Sequence, residues 1–125
     1  MPTVKLVQDQ EASPEVQGMF KHLEQDKGMV PPTFRALAIF PDYMKATLEQ
    51  MHVAMAPGKL DAKTKFLIAL TTSVNNGSDM CVAAHTKQLK SMGVTDEELL
   101  EMIAVIAASS GMNRVNTGLR MFPQE

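Results

Sequence analysis

Residues 75–85 read NNGSDMCVAAH, and this stretch joins two helical patterns and holds the only cysteine of the 125-residue chain. Gly77 predicts the end of one helix, because glycine readily adopts the left-handed conformation that closes helices. Ser78 predicts the start of the next helix, since its hydroxyl can accept a hydrogen bond from a free N–H of the first turn. Cys81 is then the third residue of that helix, and His85 follows one turn later on the same face. The positive end of the helix dipole favours a thiolate there, so the stretch indicates a reactive thiol.

The chain before this stretch predicts four helices. The last of them begins after the N-cap candidate Asp61 and carries the run FLIAL at residues 66–70. This run is apolar nearly all round, which is typical of a central, buried helix. The three earlier helices are bounded by capping residues, prolines and glycines, namely Ser13, Gly28, Pro32, Pro41 and Pro57.

The chain after Cys81 continues the helical pattern. The cysteine-bearing helix is predicted to be buried and to run from Ser78 to Met92. Thr95 and Glu98 form a capping box, which predicts a helix over residues 96–110, with Gly111 interrupting it before a short last helix. The core candidates of the helix over residues 96–110 are Leu99, Leu100, Ile103, Val105 and Ile106. No segment alternates as a half-buried strand does, so we predict one all-α domain over residues 1–125 with about seven helices.

Composition excludes several classes of function. We expect no nucleic-acid partner. The net charge of −2 gives no basic surface for the phosphates, and one tyrosine with no tryptophan offers little for base stacking. A single cysteine cannot form an internal disulfide or complete a cysteine-based metal site, and we expect no metal and no cofactor. No apolar run is long enough to cross a membrane, and the N-terminal residues MPTVKLVQDQ lack the apolar core of a signal peptide. We therefore expect no membrane partner and a cytoplasmic location, where thiols stay reduced.

Two longer segments resemble a known family. Residues 60–107, LDAKTKFLIALTTSVNNGSDMCVAAHTKQLKSMGVTDEELLEMIAVIA, and residues 28–44, GMVPPTFRALAIFPDYM, are similar to the carboxymuconolactone decarboxylase family. They are most similar to its alkylhydroperoxidase D-like branch. The resemblance covers roughly residues 13 to 120, and its most specific part is the NG…C…AAHT segment followed by MGVTDEEL. It implies a helical subunit that assembles into trimers or hexamers.

The resemblance also implies a thiol chemistry. In the peroxidase-like branch two cysteines form a CxxC pair at a helix start, with a histidine four residues after the second cysteine and a glutamate on the preceding helix. The second cysteine attacks a peroxide, the first resolves it as a disulfide, and the glutamate and histidine relay protons. An external thiol or dithiol then reduces the pair. In this sequence the nucleophile matches Cys81 and the histidine matches His85.

Two family positions differ in this chain. Ser78 stands where the first cysteine is expected, and Phe66 stands where the glutamate is expected. The resemblance therefore favours a thiol-dependent, peroxidase-like antioxidant enzyme with one cysteine. Three alternatives stay open: a small-molecule binder using the pocket near Phe66, Cys81 and His85, a lactone decarboxylase-like enzyme, and a helical oligomer without chemistry. Lactone decarboxylation is the less favoured reaction, because the glutamate is missing and Arg35, the likeliest candidate to hold an acidic lactone, is far away in sequence.

Overall fold

The computed structural model describes residues 1–123, and within them every regular element is a helix. The all-α prediction is therefore confirmed. A short 3-10 helix at Asp9–Glu11 precedes six α-helices. Their bounds are α1 Pro14–Lys27, α2 Pro32–Leu37, α3 Pro41–Met55, α4 Ala62–Asn76, α5 Asp79–Ser91 and α6 Asp96–Gly118.

The helix boundaries follow the capping chemistry of the sequence. The Ser13 side chain accepts a hydrogen bond from the Val16 N–H, and the Asp61 carboxylate accepts one from the Thr64 N–H at 2.8 Å. At the start of α6, Thr95 and Glu98 make the reciprocal bonds of a capping box. Each of these contacts satisfies an N–H that has no partner inside its helix.

The chain divides into two compact units, Met1–Ala54 and Met55–Glu125, here called the N-terminal and C-terminal units. In the N-terminal unit the Arg35 guanidinium donates hydrogen bonds to the Asp9 carboxylate at 2.8 Å and to the Val7 carbonyl at 3.0 Å. It also lies 4.9 Å above the centre of the Phe20 ring. These contacts hold the segment before α1 against α2. The core of this unit consists of Val7, Val16, Phe20, Leu23, Val30, Phe34, Ala38 and Met44.

In the C-terminal unit α4 packs against both α5 and α6. Its core contains one fully buried side chain, Leu89 of α5, against Leu70 of α4 and Leu99 of α6. The Ser110 hydroxyl of α6 also donates a 3.0 Å hydrogen bond to the side-chain oxygen of Asn75, at the end of α4. These contacts fix α4 as the element to which the other two helices are attached.

The prediction that α4 and the following helix are buried is wrong for the single chain. Within the described residues α4 buries only Leu70 and Ser73, and α5 buries only Leu89. Ile68, in the middle of the FLIAL run, is 52% exposed. A helix that is apolar all round needs neighbours all round, and α5 and α6 cover only part of α4.

The predicted interruption at Gly111 is also wrong, because α6 continues without a break from Asp96 to Gly118. A glycine inside a helix lowers its stability by only about 1 kcal/mol relative to alanine. The hydrogen bonds and contacts of the other turns of a long helix outweigh this loss. Of its five core candidates Leu99 and Ile106 are buried, whereas Leu100, Ile103 and Val105 are about half exposed or more. No helix within residues 1–123 combines the length and apolarity needed to span a bilayer.

Candidate functional site

The link between α4 and α5 is two residues long and is closed by backbone hydrogen bonds. Gly77 has a φ of 68°, the left-handed conformation that the sequence predicts there. Its N–H donates to the Val74 carbonyl at 3.2 Å, and the Ser78 N–H reaches back to the Ser73 carbonyl at 3.0 Å. This pairing resembles the closing motif common at helix ends. It turns the chain sharply, so α5 begins beside the end of α4.

Cys81 occupies the third position of α5, as the sequence predicts, and its side chain is exposed to solvent. The first turn also carries Asp79, whose charge complements the positive end of the helix dipole. A cysteine that served only as a small core residue would be enclosed, since free cysteines are among the most buried residues in proteins. The thiol is therefore accessible to a small molecule from solvent.

Ser78 is the N-cap residue of α5 by position, but its side chain makes no capping hydrogen bond. The expectation that its hydroxyl caps the helix is therefore wrong. Its backbone φ and ψ of −93° and 87° differ from the extended values found at Ser13 and Asp61, whose side chains do cap. The Ser78 carbonyl nevertheless accepts the first helical bond, from the Val82 N–H at 2.9 Å.

His85 lies one turn after Cys81, which places the two β-carbons about 5–6 Å apart on one face of α5. The imidazole is half-buried and contacts the Phe66 ring of α4, with 6.0 Å between ring centres and an angle of 56° between the ring planes. The structure thus brings Phe66 and His85 together from two helices. At this position the imidazole meets an aromatic ring where the family resemblance leads us to expect a carboxylate.

Lys65 is a residue whose structural role the sequence does not reveal. Lys65 is half-buried, and its ammonium group donates a hydrogen bond to the Ala56 carbonyl at 2.6 Å. This contact ties the segment after α3 to α4, one residue before Phe66. Two other lysines form ion pairs with residues of α6, Lys63 with Glu98 at 3.4 Å and Lys90 with Asp96 at 3.0 Å. No local sequence signal marks these partners, because each lies on another segment of the chain.

The chemistry available at this site is that of a thiol beside an imidazole. Within the part of the chain that the structure describes, no three histidine, cysteine or carboxylate side chains are grouped as metal ligands would be. Two surface depressions on the N-terminal unit are lined by residues such as Val16 and Phe20, and neither is lined by Cys81 or His85. Because Cys81 is exposed and His85 is half-buried, the two side chains lie at the surface of α5.

Comparison with protein families and solved structures identifies the family and the fold of the chain. The model of the carboxymuconolactone decarboxylase family matches residues 41–122. The crystal structure of the alkylhydroperoxidase AhpD core from Rhodospirillum rubrum is 31% identical, with a TM-score of 0.87, over 100% of this chain and 95% of that one. A carboxymuconolactone decarboxylase family protein from Legionella pneumophila, solved in its apo form, is 26% identical with a TM-score of 0.55, over 78% and 81% of the two chains.

Two curated sequences are also similar. An uncharacterized protein of Methanocaldococcus jannaschii is 30% identical over 74 residues, which is 59% of this chain and 69% of that protein. An uncharacterized protein of Cupriavidus necator is 38% identical over 65 residues, or 52% of this chain. The matched part spans 58% of the Cupriavidus protein.

Proposed function

This chain belongs to the carboxymuconolactone decarboxylase family, and from this premise we propose that it is a thiol-dependent, peroxidase-like oxidoreductase that uses Cys81 with His85. The observation that carries the proposal is the exposure of Cys81 at the third position of α5. The similarity to the alkylhydroperoxidase AhpD core over the whole chain supports the choice of reaction. Ser78 and Phe66 then make it a one-cysteine version of that reaction.

The proposed cycle begins when the Cys81 thiolate attacks the terminal oxygen of a peroxide. The O–O bond breaks, Cys81 becomes a sulfenic acid, and the other oxygen leaves as an alcohol or water. His85 accepts the thiol proton and returns it to the leaving oxygen, which is the role of a general acid–base. The sulfur is oxidised by two electrons and the peroxide is reduced by the same two.

An external thiol completes the proposed cycle, because Ser78 cannot act as the resolving cysteine. A first thiol condenses with the sulfenic acid to form a mixed disulfide and water. A second external thiol then attacks the mixed disulfide. This exchange releases Cys81 as a thiol and joins the two external thiols in a disulfide. Under this scheme the partners are a peroxide, an external thiol or dithiol, and other copies of the chain. The antioxidant role and the trimeric or hexameric assembly are parts of the same proposal.

Peroxide consumption with an added thiol tests the proposal. We expect Cys81→Ser to abolish turnover and His85→Asn to reduce it about 10²-fold or more, since general acid–base catalysis contributes on that order. Lys87→Gln, an exposed substitution on the same helix, is the matched control and should leave the rate unchanged. Turnover that persists in Cys81→Ser, or that is absent from the native protein with every thiol tried, contradicts the proposal.

The contact between Phe66 and His85 favours a second candidate, a site that binds an apolar small molecule without redox chemistry. The aromatic ring at 6.0 Å from the imidazole gives that part of the site an apolar surface. The two candidates are separated by Phe66→Ala. It should weaken ligand binding in the second case, but leave Cys81 oxidation by hydrogen peroxide within a few fold in the first.

A further inference from the structure

Asn76 is the one asparagine of the chain that precedes a glycine. The asparagines stand at residues 75, 76, 113 and 116, and they are followed by Asn76, Gly77, Arg114 and Thr117. A backbone nitrogen can attack the side-chain carbonyl of the asparagine before it, and the side chain of the attacking residue hinders this approach. Glycine has no β-carbon, so its nitrogen is open to close approach. The pair Asn76–Gly77 is therefore the favoured place in this sequence for that reaction.

The structure holds the two adjacent asparagines differently. The Asn75 side-chain oxygen accepts a 3.0 Å hydrogen bond from the Ser110 hydroxyl, which restrains its amide group. The Asn76 side chain is exposed, and within residues 1–123 it makes no hydrogen bond. The Asn76 amide can therefore rotate towards the Gly77 nitrogen without losing a contact.

The attacking nitrogen lies at the end of a helix, where the backbone opens most easily. Asn76 is the last residue of α4, and Gly77 follows it with a φ of 68°. The Gly77 N–H donates to the Val74 carbonyl at 3.2 Å, and this bond must open before the nitrogen can attack. Fraying ends open with free energies close to zero, far below the free energy of unfolding the whole chain. The reaction is therefore accessible to the folded protein.

We propose that Asn76 is a site of spontaneous deamidation, and that the isoaspartate formed there loosens the start of α5. The Gly77 nitrogen bonds to the side-chain carbonyl carbon of Asn76, and the amide nitrogen leaves as ammonia with the proton of the Gly77 nitrogen. Water then opens the cyclic imide at either of its carbonyls. Opening at the side-chain carbonyl gives aspartate, and opening at the main-chain carbonyl gives isoaspartate. No electrons are transferred, and water is the co-reactant.

Isoaspartate adds one atom to the backbone beside a link of only two residues between α4 and α5. The link is closed by the bond from the Ser78 N–H to the Ser73 carbonyl at 3.0 Å. Helix α5 then begins with the bond from the Val82 N–H to the Ser78 carbonyl at 2.9 Å. Both bonds depend on the path of the backbone through Asn76, so a longer path weakens them. Cys81 lies between these two donors, and the modification therefore disturbs the segment that carries the thiol.

Ageing the folded protein tests the modification. The native chain, Asn76→Gln and the matched control Asn75→Gln are incubated near neutral pH, and peptide mapping by mass spectrometry locates each deamidated residue. Enzymatic methylation of isoaspartate quantifies that product. Nearly all of it should map to Asn76 in the native chain and in Asn75→Gln. Asn76→Gln should lose this signal, because the longer side chain closes a less favourable ring.

Hydrogen exchange tests the effect on α5. In the isoaspartate form, isolated by chromatography, the Ser78 and Val82 N–H groups should exchange about 10-fold or more faster than in the fresh chain, since a loosened helix start opens at little cost. The Leu99 N–H, which donates to the Thr95 carbonyl at 3.0 Å, is the internal reference and should not change. Asn76→Asp carries the added charge on a normal backbone and should keep the exchange rates of the fresh chain within a few fold.

Three results overturn the proposal. The first is an Asn76 that stays unmodified in the folded chain, or deamidates no faster than the other asparagines. The second is isoaspartate that persists in Asn76→Gln. The third is an isoaspartate form that exchanges as slowly as the fresh chain, or an Asn76→Asp variant that reproduces the whole effect through its charge. None of these measurements involves peroxide turnover, so the outcome is independent of the proposed thiol chemistry.

Discussion

Within the described residues, the core cluster of the N-terminal unit contains eight buried side chains, whereas that of the C-terminal unit contains four. The difference does not follow from a lack of apolar residues, because α4 and α6 are the more apolar helices. The difference lies in how much of the apolar surface is covered. Val16, Phe20 and Leu23 of α1 are buried, whereas Leu100, Val105 and Val115 of α6 are more than half exposed. The C-terminal unit, whose apolar surface is the less covered, also carries the candidate site.

The largest expected effect is within the C-terminal unit, between its one fully buried leucine and its most exposed one. Leu89 is 0% exposed and Leu100 is 67% exposed. Leu89→Ala should lower the free energy of unfolding by about 2–5 kcal/mol. Leu100→Ala should change it by about 0.5 kcal/mol or less. Urea unfolding measures both. Similar losses for the two leucines would contradict the exposure of Leu100 in the folded protein.

The next effect concerns the two family positions at the site. Ser78→Cys together with Phe66→Glu restores the missing thiol and carboxylate, so an intramolecular disulfide with Cys81 becomes available. We expect dithiol-dependent peroxide reduction to rise about 100-fold, which corresponds to about 2.7 kcal/mol of barrier. Ser78→Cys alone is the control and should form the disulfide with a smaller gain in rate. A double variant that folds but gains no activity would mean that Ser78 and Phe66 do not occupy the two family positions.

A smaller loss of stability is expected at the N-cap of α6, and almost none at the N-cap of α5. Thr95 accepts a hydrogen bond from the Glu98 N–H at 3.2 Å, whereas the Ser78 side chain makes no capping bond. Thr95→Ala should therefore lower the free energy of unfolding by about 1 kcal/mol. Ser78→Ala should lower it by no more than a few tenths of that, because no hydrogen bond is lost. Equal losses in thermal or urea unfolding would indicate that the Ser78 hydroxyl does cap α5 in solution.

The smallest effect is a pH dependence at the start of α6. The hydrogen bond from the Thr95 N–H, followed by the positive charge of Lys63, lowers the pKa of Glu98 below its ordinary value of 4.5. A carboxylate whose pKa is lower in the folded state stabilises the fold above its unfolded pKa, and this contribution is lost as the pH falls through the folded value. The stability difference between the native chain and Glu98→Gln should therefore be constant near neutral pH and shrink below about pH 4.5. A difference that instead persists unchanged in acid would contradict the lowered pKa, which an NMR titration of Glu98 measures directly.

Local capping chemistry made the helix boundaries predictable, because each signal and its partner lie within a few residues. Ser13, Asp61, Gly77 and the Thr95–Glu98 pair all act where the sequence places them. Burial was not predictable in the same way. Leu99 and Leu100 are adjacent and identical in type, but one is buried and the other exposed. Only the packing of α4 against α6 separates them, and that contact is not encoded locally.

Part of the candidate site was predictable from the sequence and part was not. The positions of Cys81 and His85 on one helix face follow from their spacing alone. The ring contact between Phe66 and His85 joins residues nineteen apart in sequence, and the hydrogen bond of Lys65 reaches a backbone carbonyl nine residues earlier. Both depend on how the turn at Gly77 and the segment before α4 are arranged in space, which no local pattern specifies.

Cys81 is proposed to be a peroxide-reactive thiol, and trapping its oxidised form tests this claim directly. The folded native protein is treated with one equivalent of peroxide in the presence of dimedone, which reacts with sulfenic acids, and its intact mass is then measured. We predict one dimedone adduct per chain, located at Cys81 by peptide mapping, and none in Cys81→Ser. An unmodified Cys81 in the folded protein, or labelling only after unfolding, would contradict the claim.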